Sequence, residues 1–132
     1  MFLIKKFIPG IAWFFLVLIL MCLPGNEFPK NIEWLEKIYF DKWVHAGLFG
    51  ILAFLLMYPY AKSEIDLQSK LNTILKIALA VSVWGLTTEF IQKYFVPFRN
   101  FDLWDWAADS VGALAALVFW RIRLKSKFSS VK

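Results

Sequence analysis

The sequence has few of the residues from which most familiar catalytic and metal sites are built. It contains one cysteine, Cys22, which has no partner for an internal disulfide, and one histidine, His45. Charged residues make up only 19% of the 132 residues. There is no GxSxG nucleophile elbow, no phosphate-binding glycine loop and no HExxH zinc motif. These absences exclude the corresponding motif-defined enzymes, and no catalytic residue is assigned.

Apolar residues are abundant instead. They form 60% of the chain, against about 45–50% in soluble domains. They fall in long blocks, each close to the ~17–25 residues that a membrane-spanning helix needs. The blocks lack the alternation of barrel strands, so helices are predicted. We expect an all-α membrane protein, a compact bundle of four transmembrane helices within a single domain, residues 1–132, with helices at about 7–23, 44–60, 74–94 and 103–120.

The first apolar block follows Lys5 and Lys6, as in a signal peptide. It lacks a small-residue cleavage site, so it is interpreted as a retained first helix. Basic residues then orient the bundle, because cytoplasmic loops of membrane proteins are enriched in lysine and arginine. Four helices place both termini on one side, which we expect to be the cytoplasm. Ten of the fifteen basic residues fall on that side: Lys5, Lys6, Lys62, Lys70, Lys76, Arg121, Arg123, Lys125, Lys127 and Lys132.

The basic C-terminal segment directly follows an apolar helix, which is typical of a juxtamembrane anchor on anionic lipid. It has no stacking platform or recognition helix, so nucleic acid is not a predicted partner. The predicted location is the bacterial cytoplasmic (inner) membrane, as a multi-pass protein whose partners are membrane lipids. The oligomeric state is left open.

The loops carry two further helix signals. In the first outer loop, Ile32, Leu35, Ile38 and Tyr39 share a helical face, which predicts a short interfacial helix, with an ordinary surface loop as the alternative. The inner loop contains Ser63-Glu64-Ile65-Asp66, which resembles a capping box and predicts that the third helix begins before the bilayer.

Small residues recur four apart on the second and fourth helices. The pairs are Ala46 with Gly50, and Ala108 with Gly112. Such spacing lets helix backbones approach closely, and it favours a compact bundle.

The polar residues of the predicted helices collect in one half of the membrane. Spacings of three and four place each helix's polar residues on one face. Charged residues in spanning helices face the bundle interior or a wet cavity. We therefore predict a polar cup, open to the outside, that binds a ligand or serves another function. Its predicted members are Asp41, His45, Glu89, Gln92, Arg99, Asp102, Asp105 and Asp109.

Some of these residues also have a purely structural interpretation. Asp102 is a good N-cap for the fourth helix and Asp105 lies at its N3 position. Asp41 is a candidate cap for the second helix, and His45 a candidate structural histidine. Glu89, more than one turn inside an apolar helix, needs a partner, for which Arg99 and His45 are the candidates.

The same residues could also be ligands of a metal cofactor. One histidine among several carboxylates suits a hard divalent cation. Nothing in the spacing specifies a metal, so no cofactor is assigned.

Several of these residues together resemble the VanZ-like family of small polytopic membrane proteins. The resemblance covers about residues 41–120. Asp109 stands where the family usually has asparagine, which adds negative charge to the cup. The matching residues are Asp41-Lys42-Trp43-Val44-His45, Gly85, Glu89, Gln92, Phe95-Val96-Pro97-Phe98-Arg99, Asp102, Asp105-Trp106 and Gly112.

The resemblance implies a role in the cell envelope. The family is named for a protein associated with resistance to the glycopeptide antibiotic teicoplanin, and the family pattern supplies no reaction. The first hypothesis is binding or handling of a lipid or lipid-linked cell-wall precursor through the cup. The alternatives are a structural ion-pair network in a membrane scaffold protein, and a membrane enzyme that acts on a lipid-linked substrate.

Overall fold

The computed structural model describes residues 2–27, 32–34 and 39–130. Over these residues the fold is helical and has no strand, which confirms the all-α prediction. A short helical turn, Phe2–Lys5, precedes the first long helix, and a 3-10 turn, Gly25–Glu27, follows it. The four long helices are α1 (Ile8–Met21), α2 (Phe40–Ala61), α3 (Leu67–Phe95) and α4 (Leu103–Ser129).

Three of these helices extend beyond the apolar blocks that predicted them. α2 begins at Phe40 rather than near residue 44. α3 begins at Leu67, and the side chain of Asp66 caps it by accepting the Ser69 N–H at 2.9 Å. The start ahead of the apolar block is confirmed, but the capping box is wrong, because the N-cap is Asp66 and not Ser63. α4 continues through the basic segment to Ser129, because lysine and arginine are themselves good helix formers.

Two helices, α2 and α3, are long and apolar enough to cross a membrane. α1 is apolar but only 14 residues long. Large apolar side chains also face outward along the bundle, such as Val83 and Val111 at 64% and 60% exposure. Extended apolar exteriors are unusual for soluble monomers. The composition therefore supports membrane association, while spans for α1 and α4 stay predictions.

The predicted interfacial helix falls largely on residues 28–31 and 35–38, which lie outside the described residues.

The core is arranged around α2, which packs against each of the other three long helices. Phe49, Leu52 and Met57 of α2 are buried. Around them lie further buried apolar residues: Val17 of α1, Ile74, Ala78 and Val81 of α3, and Ala113, Ala116 and Leu124 of α4.

Two tryptophans add hydrogen bonds to this packing. Trp13 of α1 and Trp120 of α4 donate their indole N–H to the α2 carbonyls of Leu48 and Phe54, at 2.9 and 3.3 Å. A carbonyl has two lone pairs, so it accepts these bonds in addition to its helical bond.

The small residues predicted to bring helices together do so between α2 and α4. A methyl group at Gly112 would overlap the carbonyl oxygen of Ala46 and would lie 2.8 Å from the backbone nitrogen of Gly50. A methyl group at Gly50 would lie 3.2 Å from the Gly112 carbonyl oxygen. We call this contact of Ala46, Gly50 and Gly112 the α2–α4 seam. Only glycine fits at its centre.

The seam predicts a specific sensitivity. Gly112→Ala should lower the thermal midpoint of the purified protein, because the added methyl group forces the two backbones apart, at a cost of about 1–3 kcal/mol. The matched control is Gly47→Ala on α2, where an added methyl group meets nothing within 4 Å; that change should be neutral or stabilising. Thermal unfolding in detergent, followed by circular dichroism, measures both. Equal midpoints for the two variants would contradict the seam.

Candidate functional site

Ionisable side chains converge at one end of the bundle, where α2 and α4 begin and α3 ends. α2 and α4 run in the same direction and α3 runs oppositely, so residues distant in sequence meet there. We call this set the polar cluster. Its members are Asp41, Lys42, His45, Glu89, Asp102, Asp105 and Asp109.

Lys42 is the cation of the partly exposed, outer part of the polar cluster. Its Nζ donates to Asp102 Oδ2 at 2.6 Å, to Asp41 Oδ2 at 2.8 Å and to Asp105 Oδ1. The lysine side chain is 21% exposed and that of Asp41 is 61% exposed, so this part lies at the rim of the bundle. An ammonium group has three donors, and each of the three carboxylates accepts one.

His45 lies one turn further along α2, and it is buried. Its Nδ1 lies 2.9 Å from Asp109 Oδ1 and its Nε2 lies 3.5 Å from Asp105 Oδ2. The imidazole ring thus lies between two carboxylates of α4, with its Nδ1 at hydrogen-bond distance from Asp109. These contacts connect α2 to α4 one turn deeper in the bundle than Lys42.

Glu89 of α3 completes the deep part of the cluster. Its side chain is fully buried, and its Oε2 accepts the backbone N–H of Asp102 at 2.9 Å. Ligating atoms of Glu89, His45 and Asp109 all lie within 4.8 Å of one another. Of the two partners predicted for Glu89, His45 is therefore close. The hydrogen bond itself goes to a backbone N–H at the start of α4.

Asp102 has two functions at once. As the N-cap of α4 its Oδ1 accepts the Trp104 N–H at 2.8 Å, and its Oδ2 accepts from Lys42. Partial burial disfavours the charged carboxylate. The Lys42 ammonium and the Trp104 N–H outweigh burial, and together they hold the pKa of Asp102 below its usual range. The predicted capping role and a role in the cluster thus coexist.

Gly85 provides the space for the Asp109 carboxyl group. A methyl group at Gly85 would lie 2.8 Å from Asp109 Oδ2 and 2.9 Å from its Cβ. Since Asp109 is fully buried, its carboxyl group fits only because α3 has no side chain at this position.

Gln92 and Arg99 were predicted as cup residues, and both reach toward the end of α1. Gln92 Nε2 donates to the Met21 carbonyl at 3.1 Å, and Arg99 Nε donates to the Leu23 carbonyl at 3.4 Å. In the same region the Gly25 N–H donates to the Pro97 carbonyl at 3.1 Å. These bonds fasten the end of α1 to α3 and to the loop between α3 and α4.

Lys42 was not among the predicted cup residues, although it is the central cation of the rim. Two signals in the sequence pointed to it. It lies three residues before His45 and thus on the same helical face, and it belongs to the stretch Asp41–His45 that resembles the VanZ-like family. A group of buried acids also requires a nearby cation.

Comparison of the chain with protein-family models, with curated proteins and with solved structures found no match.

The arrangement offers two chemically distinct subsites. The rim has Lys42 held by three acids, with the side chains of Asp41 and Asp102 61% and 40% exposed. The deep subsite has one imidazole and two carboxylates, His45, Glu89 and Asp109, all buried. The rim suits hydrogen bonding to a polar head group. The deep subsite suits proton sharing or ion binding.

The rim predicts a pH-dependent effect of Lys42. Lys42→Met should raise the pKa of Asp102, because the ammonium that favours its charged form is removed. A carboxyl whose folded pKa lies below its unfolded value adds stability that is complete above the unfolded value and is lost as the pH falls through the folded value. The Asp102 contribution to the stability lost in the variant should therefore shrink below about pH 4.

Carbon-13 NMR titration of the Asp102 carboxyl group in detergent measures this directly. Lys42→Arg keeps the positive charge and serves as the matched control, which should retain a low pKa. The same titration curve for Asp102 in wild type and Lys42→Met would show that the lysine does not set its charge state.

Proposed function

We propose that this chain is a multi-pass protein of the bacterial cytoplasmic membrane that binds the head group of an envelope lipid or lipid-linked cell-wall precursor at the polar cluster. One observation carries the proposal. Side chains of seven ionisable residues from three elements of the fold meet at one end of an apolar bundle, and some of them are fully buried. Charged groups in apolar helices are costly, and they usually mark a functional site.

The exposed aromatic residues around the cluster support its placement at head-group depth. Trp43, Trp104 and Tyr94 are 71%, 73% and 66% exposed, and all three lie close in sequence to cluster residues. Tryptophan and tyrosine concentrate where a bilayer meets water. With the termini in the cytoplasm, as the positive-inside rule predicts, this end of the bundle faces outward.

The charge of the rim favours a particular class of head group. Carboxyl groups outnumber cations there, and Lys42 is already held by Asp41, Asp102 and Asp105. A purely anionic head group would be repelled by the exposed acids. A head group that carries an amine, such as phosphatidylethanolamine or an amino-substituted precursor, would find acceptors on Asp41 and Asp102.

The VanZ-like resemblance agrees with an envelope role, and membership of that family is part of this proposal. A contribution to teicoplanin resistance would follow if the bound molecule is a cell-wall precursor. It can be tested by the drug susceptibility of cells that express the protein.

Lipid binding can be tested with the purified protein. Native mass spectrometry in detergent should detect phosphatidylethanolamine bound in preference to phosphatidylglycerol, because only the former brings an amine to the rim. Asp41→Asn together with Asp102→Asn should reduce this preference at least several-fold, because each substitution removes an acidic acceptor. A polyprenyl-linked precursor that carries a free amine serves as the probe for a cell-wall precursor.

The matched control is Glu64→Gln, an exposed acid in the loop between α2 and α3, at the opposite end of the bundle. It should bind lipid as wild type does. If wild type, the rim variant and Glu64→Gln all bind the three lipids equally, the head-group site is refuted.

A second candidate function is supported by the contacts themselves. Lys42 and His45 join α2 to α4, and Glu89 joins α3 to the N-terminus of α4. The cluster would then be a network that fixes the packing of a membrane scaffold protein. The removal of one partner of a buried charge pair typically costs about 3–5 kcal/mol.

The two candidate functions make different predictions for the exposed acids, which matter for lipid binding in one case and for neither property in the other. For a scaffold, Glu89→Gln should lower the thermal midpoint, and the exposed Asp41→Asn should change neither stability nor any lipid preference. For a head-group site, Asp41→Asn should weaken lipid binding while the thermal midpoint stays near that of wild type. Measurement of both properties on the same samples decides between them.

A further inference from the structure

The two parts of the polar cluster differ in how their negative charge is balanced. At the rim, Asp41, Asp102 and Asp105 surround the Lys42 ammonium. In the deep subsite, the ligating atoms of Glu89, His45 and Asp109 lie within 4.8 Å of one another, and Asp109 is paired with His45. Two buried carboxyl groups therefore have one imidazole close to both.

Each of these two carboxyl groups also has an oxygen without a partner. Glu89 Oε1 and Asp109 Oδ2 are buried and accept no hydrogen bond from the described residues. Both side chains are 0% exposed, so water at the protein surface does not reach them. Buried polar atoms are nearly always satisfied, and an unsatisfied one in a native protein needs a specific explanation. Burial of a charged carboxylate adds a further cost.

We propose that His45, Glu89 and Asp109 form a binding site for one divalent transition-metal ion. Their ligating atoms lie within 4.8 Å of one another, and bonds of about 2.0–2.2 Å require donor atoms within about 4 Å of each other. Small side-chain rotations would bring the ligating atoms from their present separation to the one that a metal ion requires. A 2+ ion balances two carboxylates, and it gives both unpartnered oxygens a positive charge nearby.

The mixed donor set indicates which ions fit. Imidazole suits Zn²⁺ and related transition metals, while carboxylates also suit Mn²⁺. Ca²⁺ prefers six to eight oxygen ligands, more than this subsite offers. Gly85 contributes to the site indirectly, because its missing side chain leaves room for the Asp109 carboxyl group. The ion site goes beyond the proposed function, since an ion would bind whether or not a lipid is present.

The test uses the full chain in detergent, purified through a tag that binds no metal. Elemental analysis is made before EDTA treatment, and the stripped protein is then titrated with ZnCl₂ and with MnCl₂ by calorimetry. We expect one equivalent of one of these ions to bind, and the thermal midpoint to rise with its concentration, because a ligand that binds only the folded state stabilises it. Failure of the folded wild-type protein to take up either ion overturns the proposal.

Variants locate the ion. Glu89→Gln and Asp109→Asn should each weaken binding by at least about ten-fold, since even the loss of an outer-shell partner has an effect of that size. Glu64→Gln should bind as wild type does. Size-exclusion chromatography identifies any variant that has not folded. If a variant does not fold, the titration of the wild-type protein still tests the proposal. Unchanged affinity in folded Glu89→Gln and Asp109→Asn places the ion elsewhere and refutes the site.

The metal proposal and the lipid proposal can be refuted independently of each other. Metal uptake is measured without added lipid, and the lipid preference is measured with rim variants that leave His45, Glu89 and Asp109 unchanged. A negative result in one experiment therefore leaves the other interpretable.

Discussion

The constraint on which this structure depends is the cost of negative charge inside an apolar helix bundle. Glu89 and Asp109 lie fully buried on α3 and α4, where their desolvation must be offset by partners. Several neighbouring features offset the desolvation of these two carboxyl groups or make room for them. The backbone N–H of Asp102 reaches Glu89, the imidazole of His45 reaches Asp109, and Gly85 leaves space beside the Asp109 carboxyl group. The start of α4, the face of α2 and the small residue on α3 all follow from this one requirement.

The interactions that hold the helices together differ along the bundle. At mid-height the helices are held by apolar packing and by tryptophan hydrogen bonds to carbonyls of α2. Most buried charged side chains of the described residues lie at the end where α2 and α4 begin. Buried Lys70 lies at the opposite end, where its Nζ donates to the Ala61 carbonyl at 3.4 Å. Apolar packing therefore holds most of the bundle together, and hydrogen bonds and ion pairs hold together the end where the polar cluster lies.

Much of this arrangement could be predicted because it depends on local pattern. The apolar blocks predicted the four helices, and spacings of three and four predicted the shared faces of Asp105 with Asp109 and of Asp41 with His45. The small residues predicted close helix packing, but not that it would join α2 to α4. Helix ends were predicted less well, because apolar composition does not mark where polar turns such as Phe40–Trp43 continue a helix.

The individual partners could not be predicted, because they depend on distances between helices. Spacing put Gln92 in the same group as Glu89, yet Gln92 points to the end of α1 and bonds the Met21 carbonyl. Glu89 was matched with side chains and bonds a backbone N–H instead. A sequence gives the face on which a residue lies, but not which of several nearby donors it meets.

The α2–α4 seam also limits what can enter the bundle. Gly112 and Ala46 are in backbone contact, and His45 and Asp109 lie within one turn of that contact on the same two helices. The backbones cannot separate there without losing their closest packing. The seam therefore holds the two backbones close at this level, where His45 Nδ1 and Asp109 Oδ1 lie 2.9 Å apart. A group as large as a sugar or an amino acid does not fit between these two side chains.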